Sequence, residues 1–305
     1  MKILITGAAG YIGSALAQKF ENHNLLLIDN YSAHKDGRPH LLNVGKNEIV
    51  HADIADEEVC KDITLGIDVI YHLASISGIV NCENIESYRS NIVGTTFLGL
   101  WAEKREVKKI IFASTSAVYG ESQSIQINES HRIKPRCRYG WEKYICEMIL
   151  QSLKIPCVIF RMSNVFGEGL YHKQTAVDTF IDKALNDLDI PISGSGEQRR
   201  DYVHIDDVVN AYLQALYWDS GIYNIGGNDN LSINELADLI INEANKSYGK
   251  NIKKIYNLTA DTGRLLKRFN YDYSKAKSFG YNPKGKIIDE VKKRLGGNSN
   301  QSLSP

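Results

Sequence analysis

No stretch of the 305 residues approaches the ~20 consecutive apolar positions that a membrane-spanning helix needs. A basic leader with a signal-length apolar core is also missing. Met1 runs almost directly into Ile3-Leu4-Ile5, and no export signal is expected. Neither charge sign is in excess, since Lys+Arg and Asp+Glu both number 36. Such a balance gives no global field to gather nucleic acid or an acidic membrane, so any anionic ligand must be gripped locally. Cysteine is sparse and odd in number, five in all (Cys60, Cys82, Cys137, Cys146 and Cys157), and none is spaced C-x-x-C. These read as the reduced thiols of a cytoplasmic protein. The scattered His and Asp residues show no metal-ligand spacing, and no metal is expected.

What is present is ordinary globular composition, 43% hydrophobic and 24% charged, in a chain longer than the usual single domain. Short apolar runs at 2–6, 24–29, 48–51, 69–72, 109–113 and 157–161 alternate with helical patterns near 11–21, 57–63, 87–104 and 139–153. That rhythm predicts an α/β fold, a doubly wound parallel sheet of Rossmann type with a smaller α/β lobe. The expected division is a first domain over 1–165, with 201–220 returning to it. The lobe is expected over 166–200 and 221–295. The tail, 296–305, is rich in Gly, Asn, Ser and Pro and is expected to be disordered.

The first strand runs into Gly7-Ala8-Ala9-Gly10-Tyr11-Ile12-Gly13. In such a turn Gly7 permits the sharp bend, Gly10 lets backbone amides approach a pyrophosphate, and Gly13 lets the following helix pack closely. The amides of Tyr11 and Ile12 belong to the helix N-terminus, which favours an anion. A glycine trio alone is a weak signal, but a second strand ends in Asp29, 22 positions after Gly7. A carboxylate at that offset accepts from the adenosine ribose hydroxyls and repels a 2′-phosphate. Asn30 follows it with no Arg alongside, which favours NAD; His34, Lys35 and Arg38 stand further along. Asp53-Ile54, after the third strand, reads either as an adenine contact or as a helix cap.

Tyr139 and Lys143 stand at i and i+4 on one helical face. A phenol is a poor base near neutrality, and a neighbouring ammonium favours its ionised form. Ser114-Thr115-Ser116 ends the fifth strand, at the rim where open parallel sheets bind ligands.

In that order, the glycine trio, Asp29, Asn91-Ile92-Val93-Gly94-Thr95, Ser114-Thr115-Ser116, Tyr139/Lys143, Arg161 with Asn164, and Arg200-Asp201-Tyr202-Val203-His204-Ile205-Asp206-Asp207 resemble the extended short-chain dehydrogenase/reductases. Ser274-Lys275-Ala276 is similar to that family's C-terminal signature, and the likeness spans about residues 1 to 295. The resemblance implies a catalytic triad of Thr115, Tyr139 and Lys143. It implies further cofactor contacts from Leu73, Ala74, Asn91 and Ser114. Substrate contacts would come from Ser77, Ser116, Asn164, Lys173, Arg200 and Arg264, with Arg200 on a sugar-linked diphosphate. By the same resemblance, the long helices near 87–104 and 139–153 would pair with their copies in a homodimer.

Fold alone does not choose among the family's reactions. By the same resemblance, 4,6-dehydratases carry acids after the Thr115 position, decarboxylases a Glu and 3,5-epimerases a Cys at Ala117. Ser116-Ala117 stand here instead. The expected reaction is therefore NAD-dependent epimerisation of a nucleotide-diphosphate sugar at C4, through a 4-keto intermediate with Tyr139 as acid/base. Alternatives are a dehydratase or reductase, or a C5 or C6 epimerase in which Lys173 acts as a second acid/base. A non-enzymatic NAD-binding sensor is the reading from another class, and such proteins lose the Tyr/Lys pair retained here. Asp261-Thr262-Gly263-Arg264 stands where epimerases show Arg-Pro-Gly-Asp, which leaves the nucleotide open.

Overall fold

The computed structural model describes residues 1–20, 23–32, 47, 49–78, 85–120, 126–169, 175–258 and 270–296. Seven parallel strands form the central sheet: β1 (Lys2–Thr6), β2 (Asn24–Asp29), β3 (Ile49–His51), β4 (Val69–His72), β5 (Lys109–Thr115), β6 (Cys157–Met162) and β10 (Gly221–Ile225). Their order is β10-β6-β5-β4-β1-β2-β3. The runs are apolar at nearly every position because both faces are covered. Ile3 and Ile5 face one layer and Leu4 the other; Val158 and Phe160 likewise oppose Cys157 and Ile159. Each fully buried Ile, Leu or Phe contributes roughly 1.5–3 kcal/mol of transfer free energy.

On the first face lie α1 (Tyr11–Lys19) and α7 (Ile205–Gln214). The opposite face holds α2 (Glu57–Ile63), α4 (Gly94–Lys104) and α5 (Arg138–Ser152). The long helix expected at 87–104 is interrupted. A short α3 (Ile85–Tyr88) leads into a π-helical turn, Arg89–Val93, before α4 begins.

The chain leaves the large sheet after β6. It forms β7 (Asn164–Phe166), α6 (Ala176–Leu185), β8 (Ile190–Ser193) and β9 (Arg199–His204), and returns through α7 to β10. Then follow β11 (Asp229–Ser232), α8 (Ile233–Tyr248), β12 (Lys254–Asn257), α9 (Ser274–Ser278) and α10 (Ile287–Gly296). β9 pairs in parallel with β7 and antiparallel with β11, and β8 pairs with β12. A separate core forms here from Phe180, Ile181, Leu236, Ile240 and Val291. Capping boxes close the N-termini of α6 (Thr175/Asp178) and α8 (Ser232/Glu235).

Three boundaries differ from expectation. Gly221–Ile225, expected in the lobe, is the edge strand of the large sheet, paired along β6 from Gly221↔Val158 to Ile225↔Met162. Its polar Asn224 hides the apolar run, and the strand forms only because β6 offers a free edge. β5 runs on through Ser114 and Thr115 because β6 pairs with both. Gly296, expected in the tail, closes α10, while 297–305 lie outside the described residues.

Candidate active site

The sheet order reverses between β1 and β4, with β2 and β3 to one side and β4, β5 and β6 to the other. Open parallel sheets leave a crevice at such a switch point, beyond the strand C-termini. Here the crevice is a pocket lined by Gly7 and Gly10, by Asp29, Asn30 and Ser32 after β2, and by Asp53 and Ile54 after β3. Leu73, Ala74 and Ser75 after β4 complete it with Ser90 from the π turn. Eight expected cofactor residues therefore share one wall. Ser32, Ser75 and Ser90 were not anticipated; Ser75 directly follows Leu73-Ala74, and extending that run would have found it.

Two glycines are geometrically required. Gly7 has φ +71°, and a Cβ there would come within 2.6 Å of the Ala74 backbone. A Cβ on Gly13 would lie 2.0 Å from the Gly7 carbonyl oxygen, so the helix rests on the turn itself. At Gly10, which caps α1, the nearest atom would be 3.2 Å away. No side chain caps α1 and its first turn carries no acid, in contrast to the boxed α6 and α8. Its amides at Tyr11, Ile12 and Gly13 thus present donors and positive dipole to an anion. The Tyr11 hydroxyl donates to the Gly167 carbonyl (2.6 Å), fastening α1 to the loop after β7. Asp29 accepts from Ala9 N (2.9 Å) and Tyr31 N (2.7 Å), which fixes its carboxylate beside the turn. The cap of α2 is Asp56, which accepts from Glu58 N (3.0 Å). Asp53 is left on the pocket wall, paired with Arg89 at 3.2 Å. These features fit a dinucleotide: an uncapped helix end and tight turn for a pyrophosphate, and an anchored acid at ribose distance along the sheet.

Beneath the pocket, His72 is completely buried. Its Nδ1 lies 2.9 Å from Thr6 Oγ1 and its Nε2 2.8 Å from Thr95 Oγ1. Thr95 donates its own proton to the Asn91 carbonyl (2.5 Å), so it accepts from Nε2–H, and Nδ1 is left to accept from Thr6. The ring is therefore neutral. Burial, with Lys143 nearby, pushes its pKa down to about 3.

At the end of β5, Thr115 Oγ1 accepts from Ala117 N (3.2 Å) and caps the 3₁₀ turn Ser116–Val118. Gly140 packs onto that turn so tightly that a Cβ would stand 2.7 Å from the Ala117 carbonyl. This contact seats the start of α5, where Tyr139 is half-buried, on the Ser116–Val118 turn. Lys143 is buried one helical turn on. Its Nζ donates to the Ala113 carbonyl (2.8 Å) and lies 4.6 Å above the Phe112 ring. The Ser114 hydroxyl donates to buried Glu147, so its side chain serves the interior. Asn91 likewise is buried behind Ser75 instead of lining the pocket.

On the lobe side, Asn164 is exposed on β7 and donates to the Asp201 carbonyl (3.1 Å). Arg200 on β9 is half-buried and donates to the Arg199 carbonyl (2.8 Å); burial lowers its pKa. Asp201 is buried, accepts from Gly227 N (3.0 Å), and has a pKa raised to about 7 by that burial. Ser77 is half-buried in the loop after β4. Lys173 and Arg264 lie outside the described residues. Among the described residues no cluster of three or more His, Cys, Asp or Glu could hold a metal, and no helix is long and apolar enough to cross a membrane.

A glycine turn at the switch point of a parallel sheet, an anchored acid after β2 and a Tyr/Lys helix at the next strand end define a Rossmann-type dinucleotide enzyme. The chain belongs to the NAD dependent epimerase/dehydratase family, matched over residues 3–226. NAD is accordingly its cofactor. It is 34% identical over 303 residues to a Methanocaldococcus jannaschii protein named "Putative UDP-glucose 4-epimerase", covering 95% of this chain and 96% of that one. It is 31% identical over 268 residues to dTDP-D-glucose 4,6-dehydratase of Dictyostelium discoideum, covering 79% and 62%. Among solved structures, UDP-glucose 4-epimerase of Thermotoga maritima with UDP-glucose superposes with a TM-score of 0.85 at 28% identity, over 99% of both chains. UDP-glucuronic acid 4-epimerase of Bacillus cereus, with UDP-glucuronic acid and NAD, gives 0.82 at 28% identity, over 99% and 100%.

Proposed function

We propose that the chain interconverts C4 epimers of a nucleotide-diphosphate sugar through a 4-keto intermediate. The observation that carries this reading is the close seat of α5 on the Thr115–Val118 turn through Gly140, in a turn whose Ser116-Ala117 offers no carboxyl. Bound NAD supplies a hydride acceptor that can return what it takes. Tyr139 removes the C4 hydroxyl proton and later gives it back. Lys143 favours the phenolate through its positive charge. Because Thr115 Oγ1 accepts from Ala117 N, its O–H is the part left to donate to the sugar oxygen. Ser77 and Ser116 line the sugar side in this reading, and Asn164 and Arg200 hold the diphosphate.

Gly7, Gly10, Tyr11, Ile12, Gly13, Asp29, Asn30, Asp53, Ile54, Leu73 and Ala74 would hold the cofactor, with Asn91 acting from behind. The large sheet with α7 and β10 then serves as the NAD-binding unit, and the smaller sheets as the substrate-binding unit. A homodimer through α4 and α5 belongs to the same proposal. Leu100, Trp141 and Met148 stand 44%, 49% and 46% exposed on those helices, which supports a partner there. A reduced cytoplasmic setting is kept with it, in keeping with free Cys60, Cys137, Cys146 and Cys157. The second reading, a 4,6-dehydratase, is favoured by the Dictyostelium relative.

The test is incubation with UDP-, GDP-, CDP-, dTDP- and ADP-sugars, followed by NMR of the products. An equilibrium pair of C4 epimers without net NADH is expected, and a product that has lost water or CO₂ would overturn the proposal. Replacing Tyr139→Phe should cut turnover by about 10²–10⁴-fold while leaving the fold intact.

A further inference from the structure

We infer that Glu142 is a positioning residue that locks the helix carrying Tyr139 and Lys143 to the loop lining the cofactor pocket, acting through Asn91. The inference rests on the reading of Tyr139 and Lys143 as the catalytic pair. Glu142 lies between them in sequence, yet it is 2% exposed and points into the protein. One oxygen accepts from the Ser87 hydroxyl (2.8 Å) and the other from Asn91 Nδ2 (2.7 Å).

Asn91 has two amide protons and two acceptor lone pairs, and all four are used. Nδ2 donates to Glu142 and to the Ile76 carbonyl (3.0 Å). Oδ1 accepts from Ile76 N (2.9 Å) and Ser75 Oγ (2.9 Å). Glu142 Oε2 accepts from Asn91 Nδ2, so the nitrogen of Asn91 faces the carboxyl group. Its oxygen is then turned to Ile76 and to Ser75, a pocket-lining residue. Glu142 thereby holds, together with the Ile76 backbone, the amide orientation on which the loop after β4 depends. Asn91 sits in the π-helical turn Arg89–Val93, a geometry frequent at functional sites. Ser87 ties the preceding turn of helix to the same carboxylate. A rigid path therefore runs from the cofactor loop to the helix bearing the acid/base.

The test compares purified variants for kcat, sugar KM and co-purified NAD. Glu142→Leu leaves the Asn91 amide without its acceptor. It should lower kcat by about 10²-fold, as expected for misplacement of about 1 Å, with KM little changed and cofactor content reduced. In Glu142→Gln the amide oxygen can still accept from Asn91 while the amide nitrogen donates to Ser87, so most of that loss should be recovered. A merely structural residue would lower the melting temperature and leave kcat and cofactor content of the folded protein unchanged; that result overturns the inference. Whether or not leucine is tolerated, Asn91→Asp sets carboxylate against carboxylate and should shed cofactor. Full cofactor content in folded Asn91→Asp overturns the inference. Tyr139→Phe is assayed alongside. Full activity there overturns the catalytic reading and this inference together. An inactive Tyr139→Phe beside a fully active, folded Glu142→Leu overturns this inference alone.

Discussion

The C-terminal ends of β4 and β6 face the same problem and resolve it differently. Each buries a basic side chain completely: His72 on β4 and Arg161 on β6. His72 gives up its charge, held as a neutral ring between Thr6 and Thr95. Arg161 keeps its charge by pairing. Its Nε and Nη2 donate to Glu147 of α5 at 3.0 and 2.7 Å, and its guanidinium lies 4.8 Å over the Tyr119 ring. Burial works against the guanidinium charge, but its hydrogen bonds to Glu147 and the opposite charge there outweigh that and raise the pKa. The side-chain chemistry explains the difference. Imidazole sheds its proton at modest cost, whereas guanidinium cannot, so its partner has to be built in. Under the pocket the protein thus keeps a pH-responsive group, and under the Thr115 turn a permanent ion pair.

The largest expected effect comes from breaking the pair. Glu147→Gln removes the counter-charge of a fully buried arginine and should cost about 3–5 kcal/mol, read as a drop in denaturant midpoint. The damage should extend beyond α5. The Arg161 carbonyl accepts from Tyr271 (2.8 Å), and Tyr119 donates to Asn224 (2.7 Å), which in turn donates to the Ile127 and Asp272 carbonyls. Glu147→Gln combined with Arg161→Met should recover much of the loss, because an apolar pair of similar volume needs no compensation. A stability loss under 1 kcal/mol for the single variant would mean that the pair is not what holds β6 to α5.

These networks also mark where sequence reasoning stopped. The glycine turn, Asp29 and the Tyr139/Lys143 spacing were legible because each is a local pattern with a local cause. The parallel sheet was legible because its strands are apolar on both faces. Glu142 and Glu147 were not. On α5 they look like solvated helix positions, and only Ser87 and Asn91, more than 50 residues earlier, and Arg161, 14 residues later, make them interior groups. The inward turn of Ser114 was not legible for the same reason, since its hydroxyl is drawn in by Glu147. Asp53 was legible only as one of two roles, and the helix cap among them falls to Asp56 instead. The edge strand β10 escaped because it is apolar only in part and takes its register from β6.

The smaller effects concern pH, and they sharpen the contrast. His72 titrates near 6.5 when unfolded and near 3 when folded. Its contribution is present above pH 6.5 and is lost as pH falls toward 3, because the unfolded chain then binds the extra proton. One proton corresponds to about 1.4 kcal/mol per pH unit, or roughly 2 kcal/mol by pH 5. Asp201 runs the other way. Its carboxyl, raised from 3.8 to about 7, contributes fully below 3.8 and loses that contribution as pH rises toward 7. Between about pH 4 and 6.5 the two slopes oppose each other, so the intact protein should show little net dependence from this pair. Asp201→Asn should unmask His72, giving a protein that weakens more steeply than wild type as pH drops from 6.5 to 4. His72→Gln, whose amide nitrogen can still donate to Thr95, should unmask Asp201 and strengthen relative to wild type over the same range. Urea midpoints at half-unit pH steps measure both slopes. Parallel curves for wild type and His72→Gln would mean that the imidazole is protonated in the folded state, and the neutral solution at β4 would then give way to a paired one like that at β6.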